Sequence, residues 1–159
     1  YEIRLSLVGS EMCIRDSYAA GAEKVSGGRW KGVLWKDGQP TYFTEEVGTE
    51  VTGLYVKEGK YIIEGNMTAD SGDIVTCIWT EEGVQVISEG MALCQGTGLA
   101  VAGSDIYVAG NAYDMDYDTY EEIYRSPVWK NGTEMALEVV SSDNFTVWGL
   151  ACAFVDTQE

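Results

Sequence analysis

A chain of 159 residues with 26 acids, 10 bases and no histidine carries a formal net charge of −16, which opposes the phosphate contacts of nucleic-acid binding and the approach to anionic membrane surfaces. Without histidine there is no Ser-His-Asp triad, no Cys-His pair and no imidazole-ligated zinc, so carboxylate chemistry is what remains of the common catalytic sets. Nineteen glycines, ten tyrosines and only two prolines, with many Val, Ile and Thr, predict an all-β chain of short strands joined by turns, with no membrane-inserting run and no cofactor motif.

Residues 1–17, YEIRLSLVGSEMCIRDS, lack the basic, apolar and small-residue zones of a signal peptide. Leu7 to Ser17 resembles one translated frame of a transposon-end sequencing adaptor, although Ile3 to Val8 is also apolar enough for an ordinary N-terminal strand. Set aside as non-native, this segment leaves 8 bases and 23 acids in residues 18–159, a net −15, so the acidity belongs to the remainder. On this reading the chain is cut at its start, and any export signal is missing. Cys77, Cys94 and Cys152 remain, an odd number without CxxC spacing, and imply neither a disulfide framework nor a metal site.

From Tyr18 onward the sequence repeats with a period near 45. The first unit, 18–49, opens on YAAG ending at Gly21 and continues to a tryptophan and turn, VLWKDG, with Trp35. The second, 50–94, starts an inner strand at Gly53-Leu54, follows it with YIIEG ending at Gly65, and reaches CIWTEEG with Trp79. The third, 95–145, repeats the order with Gly98-Leu99, IYVAG ending at Gly110, and PVWKNG with Trp129. A final Gly149-Leu150 begins another inner strand in 146–159. Each unit therefore predicts four antiparallel strands: one at Gly-Leu, one at the YVAG-like string, one at the tryptophan and one after the turn glycine. Asp37-Gly38 and Asn131-Gly132 are the dipeptides of type I′ hairpin turns, which need positive φ at both central residues.

Four strands in about 45 residues is the period of a propeller blade, and the strings resemble the WxNG/YVAG-type blades of secreted bacterial β-propeller repeat proteins. The resemblance implies a partial propeller of about three blades, truncated at both ends, in an extracytoplasmic protein whose remaining blades complete a ring. It also implies that ligands bind on the face carrying the connections between second and third strands, at 22–30, 66–73 and 111–124. An open stack of three blades exposes apolar inter-blade faces, so poor solubility or self-association is expected.

The equivalent tryptophans Trp35, Trp79 and Trp129 are expected between sheets, whereas Trp30 and Trp148 break the repeat and are candidates for exposure. Cys77, Cys94 and Cys152 are read as inert, at least half-buried thiols. Asn66 and Asn111, each after a unit glycine, are expected to cap the strand end or bond their own backbone, in a turn-forming role. The third unit carries an insertion of about five residues within NAYDMDYDTYEEIYR, Asn111 to Arg125. Its Asp114, Asp116 and Asp118 have the spacing of the first calcium ligands of an EF-hand, but Thr119 and Arg125 stand where that loop needs Gly and Glu. A solvated acidic hairpin is the expected form. Tyr113, Tyr117, Tyr120 and Tyr124, alternating with Asp114, Asp116 and Asp118, form the candidate ligand surface, since aromatic rings stack on sugars while carboxylates accept hydroxyl hydrogen bonds.

Two functions are consistent with this pattern. The first is a non-catalytic binding or scaffold module with a protein or glycan ligand. The alternative is a carboxylate-based glycoside hydrolase or lyase. Near-regular units favour the first, because a catalytic centre demands unit-specific departures.

Overall fold

The computed structural model describes residues 6–7, 16–89, 93–116 and 118–136, with residues 6, 7 and 114 described by their backbone alone. All regular structure among them is β, in thirteen strands. The first sheet runs in the order β1 (Ser6–Leu7), β2 (Tyr18–Lys24), β3 (Trp30–Lys36) and β4 (Gln39–Val47), with every pair antiparallel. A second antiparallel meander follows: β5 (Glu50–Lys57), β6 (Lys60–Thr68), β7 (Ile74–Thr80) and β8 (Gly83–Val86). The third comprises β9 (Leu93–Ala102), β10 (Asp105–Asp116), β11 (Glu121–Arg125), β12 (Val128–Lys130) and β13 (Thr133–Glu134), with β11 and β12 both paired to β10. One parallel residue pair, Ile74 with Leu93, joins the second and third meanders, the second and third sheets of the repeat, into a continuous nine-stranded ladder. Gly149 and the other residues of 146–159, including Trp148 and Cys152, lie outside the described residues.

Sequence periodicity sets which side of each meander meets the next. On β6 and β7 the side chains of Ile63, Val75, Cys77 and Trp79 join Ala20, Leu34 and Leu54 in one buried cluster with the first sheet. Those of opposite parity, Ile62 and Ile78, join Cys94, Val108 and Trp129 in a second cluster with the third sheet. The middle meander is thus packed on both faces, which is why Val75 to Trp79 reads as a nearly continuous apolar run. Trp79 meets Phe43 of β4 edge-on, with ring centroids 5.4 Å apart, so each of Trp79 and Trp129 faces the sheet that precedes it. Trp35, on the equivalent side of the first sheet, has no preceding sheet among the described residues and is half-buried.

The repeat anchors occupy matching ladder positions. Trp35 pairs with Ala19, Trp79 with Ile63 and Trp129 with Val108, each two residues before the unit glycine. Gly21 pairs with Val33 and Gly65 with Cys77, while the Gly110 N–H donates to the Pro127 carbonyl at 3.0 Å. Gly65 and Gly110 each lie opposite a β-bulge. Thr52 is skipped between the pairs Val51–Gly65 and Gly53–Glu64, and Thr97 between Gly98–Ala109 and Gly96–Gly110. A Cβ on Gly65 would fall 2.0 Å from the Glu50 carbonyl oxygen and one on Gly110 2.9 Å from that of Gln95, so the bulge excludes any side chain at these positions. The turns follow the dipeptides. Asp37 and Gly38 have φ of 52° and 77°, and Asn131 and Gly132 have 52° and 78°, as type I′ requires. Both turns are also tied to the second strand: the Ser17 N–H donates to Asp37 Oδ1 at 2.7 Å and the Ile106 N–H to Asn131 Oδ1 at 2.8 Å.

The segment set aside at the start of the chain contributes to this sheet. Ser6 and Leu7 pair with Ala20 and Ala19 on the side of β2 away from β3, and Asp16 makes a 3.0 Å ion pair with Lys36.

Candidate functional site

Two features depart from the repeat. The first is the extension of the third unit, which is a regular hairpin: Ala112 to Asp116 of β10 pair residue for residue with Arg125 to Glu121 of β11. The extra residues lengthen two strands that already exist, and Pro127, unable to donate to the ladder, lies in the break between β11 and β12. Tyr113 and Tyr124 are directly opposed with ring centroids 5.2 Å apart. The Tyr124 hydroxyl donates to Glu122 Oε2 at 2.9 Å, which raises its pKa. At the tip, Asp116 Oδ1 accepts the N–H groups of Asp118 at 2.8 Å and Thr119 at 3.2 Å. These bonds hold its carboxyl below the usual range and close an Asx turn. Tyr120 follows with φ of 58° and is 79% exposed. The hairpin thus presents Tyr113, Tyr120, Tyr124 and Ile123 beside Asp118, Glu121 and Glu122. Tyr117 and the Asp114 side chain lie outside the described residues. Among the described residues no three acids or cysteines gather into a metal-ligating cluster, and the one described oxygen of the D-x-D-x-D run with assigned partners, Asp116 Oδ1, is directed into its own turn.

The second departure is buried. Position 64 is occupied by Glu where the other two units have Ala20 and Ala109, and all three residues are 0% exposed. Glu64 lies on the β6 face that meets the third sheet. Its Oε2 is 2.5 Å from Thr52 Oγ1 on the β5 bulge, and its Oε1 has no hydrogen-bond partner among the described residues. Burial is the main reason its carboxyl pKa is pushed up to about 7, with the Glu50 charge adding to it and the Thr52 bond opposing it. Room for Oε1 comes from Gly96 of β9: a Cβ there would fall 1.9 Å from it. Beside it, Asn66 accepts the Gly96 N–H on Oδ1 at 2.6 Å and donates from Nδ2 to the Gly96 carbonyl at 3.3 Å. This corrects the expectation that Asn66 caps its strand end or bonds its own backbone in a turn; it reaches Gly96 because β9 crosses over β6 at that point. Asn111, at the equivalent place in the third unit, accepts from the Ser126 hydroxyl at 2.9 Å. Thr76 completes the cluster, donating to the Cys94 carbonyl at 3.3 Å. Cys77 and Cys94 are free and fully buried, with the Cys77 thiol pushed up to about 12 by burial and by Glu64.

Trp30 is exposed at the start of β3, where its carbonyl accepts from Gly48 and Thr49. A shallow groove between the β5–β6 and β9–β10 turns is lined by Tyr55, Ile62, Val101 and Ile106. In comparisons with protein-family models, curated proteins and solved structures, nothing matches this chain.

Proposed function

We propose that the chain is a run of three consecutive propeller-type blades in an exported bacterial protein, acting as a non-catalytic binding or scaffold module. Three successive meanders with matching anchors, two equivalent bulges and a tryptophan turned toward the preceding sheet in the second and third units support this reading. The hairpin of β10 and β11 is its contact element. The observation that carries the proposal is the opposed Tyr113–Tyr124 pair beside an exposed Tyr120 and a rim of carboxylates. Flat rings and hydrogen-bond acceptors on one projecting hairpin suit the apolar faces and hydroxyl edges of a glycan. Probing an oligosaccharide array with the full chain and with its Tyr113→Ala/Tyr124→Ala variant tests the assignment. Retention that the variant lacks supports it, and equal retention by both removes the hairpin from the contact.

A further inference from the structure

We propose that Glu64 makes the joint between the second and third sheets a proton-operated latch, closed while its carboxyl is protonated and loosened when it ionises.

The geometry favours a neutral acid. In the third unit the equivalent threonine, Thr97, donates its hydroxyl to the Ala109 carbonyl at 3.3 Å. Thr52 is aligned in the same way toward the Glu64 carbonyl, at 3.5 Å. The same hydroxyl lies 2.5 Å from Glu64 Oε2 and donates to it when the carboxyl is ionised. With one proton it cannot serve a carboxylate and the bulge carbonyl together, whereas a protonated carboxyl donates to the hydroxyl and leaves the hydroxyl proton for the carbonyl. Ionisation forces Thr52 to turn its proton away from the bulge carbonyl. It also leaves a buried anion whose Oε1 faces the backbone of Gly96 with no donor.

Among the described residues, groups on the surrounding strands supply no compensating charge. On β5, Glu50 adds repulsion; on β7, Cys77 is a neutral thiol. Cys94, on β9, is likewise a buried neutral thiol, held near Thr76. The first sheet, with Glu45 and Lys31 paired at 2.8 Å, packs against the opposite face of β6. The strand that can yield is β9, because its Gly96 meets Oε1 directly and is held to β6 by the Asn66 clamp. Relaxation there admits water to the anion at the cost of that clamp.

Amide hydrogen exchange of the full 159-residue chain at pH 6 and pH 8.5, corrected for intrinsic exchange, reads the latch at the Gly96 N–H. The expected result is a rise of about tenfold or more in opening in the wild type. No such rise is expected in Glu64→Gln, or in Glu64→Ala, which copies Ala20 and Ala109. The carboxyl carbon shift of Glu64 in the wild type, followed by NMR, gives a reading independent of either variant. An opening that rises equally in all three proteins overturns the latch, as does a Glu64 carboxyl that titrates in the ordinary glutamate range.

Discussion

The side-chain amide of Asn66 holds both backbone polar groups of Gly96, accepting from the N–H at 2.6 Å and donating to the carbonyl at 3.3 Å. Three consequences meet at this contact. It fixes the height of β9 against β6, it places a residue without Cβ opposite Glu64, and it satisfies donors and acceptors in a region where Asn66 and Thr76 are buried. Replacing Asn66 by Ala leaves two buried backbone groups of Gly96 without these partners and is expected to cost about 2 kcal/mol. Urea unfolding of Asn66→Ala against the wild type measures it, and an unchanged midpoint would show that the clamp carries no stability.

Gly96→Ala inserts a Cβ 1.9 Å from Glu64 Oε1 and 2.6 Å from Thr76 Cγ2. The strain is expected to destabilise the fold by about 3 kcal/mol. Because the tighter clash is with Glu64, the double variant Gly96→Ala/Glu64→Ala recovers a large part of the loss. A double-mutant cycle should therefore show strong coupling between positions 64 and 96. Additive effects would mean that Gly96 answers to Thr76 instead.

Glu64 also sets a pH dependence. An ordinary glutamate releases its proton near pH 4.5, whereas the folded chain holds the one at Glu64 up to about pH 7. Within that window the folded state binds the extra proton, so stability falls as pH rises. The contribution is whole below the lower value and is lost by the upper one, with a span of about 3 kcal/mol. Subtracting the unfolding free energy of Glu64→Gln from that of the wild type at each pH isolates this component from the other carboxylates. A difference that stays constant from pH 4.5 to 7.5 is the contrary outcome.

Much of the strand order was legible because the determinants are local. Alternation in YIIEG and IYVAG, and the I′ dipeptides Asp37-Gly38 and Asn131-Gly132, act within a few residues. The bulges are less local, since a skipped residue shows only against its partner strand. Even so, Thr52-Gly53-Leu54 and Thr97-Gly98-Leu99 repeat the triplet, and its threonine marks the bulge. Composition does not distinguish Glu64 from the other acids, 26 in all. The signal for it was positional, a carboxylate at the place of Ala20 and Ala109. The acidic hairpin extension expected at 111–124 grows directly out of β10, through the pairing of Ala112 to Asp116 with β11. What no pattern in one sequence conveys is the crossing of β9 over β6, which brings Gly96 to Asn66 from 30 residues away.

The cysteines are expected to be inert while the chain is folded. Cys77 is fully buried and its thiol is raised to about 12, so the reactive thiolate is scarce at neutral pH. Alkylation followed by mass spectrometry at pH 8 should label Cys77 and Cys94 only after denaturant is added. Rapid labelling of Cys77 under native conditions would show that β6 and β7 open far more readily than their packing implies.

Binding without turnover through the β10–β11 hairpin is tested most directly on one oligosaccharide array read for both retention and product mass. The expected result is retention of the wild-type chain on at least one glycan, its loss in Tyr113→Ala/Tyr124→Ala, and glycans of unchanged mass. A glycan cleaved by the wild type and left intact by Asp116→Asn would contradict it and make the hairpin part of a catalytic centre.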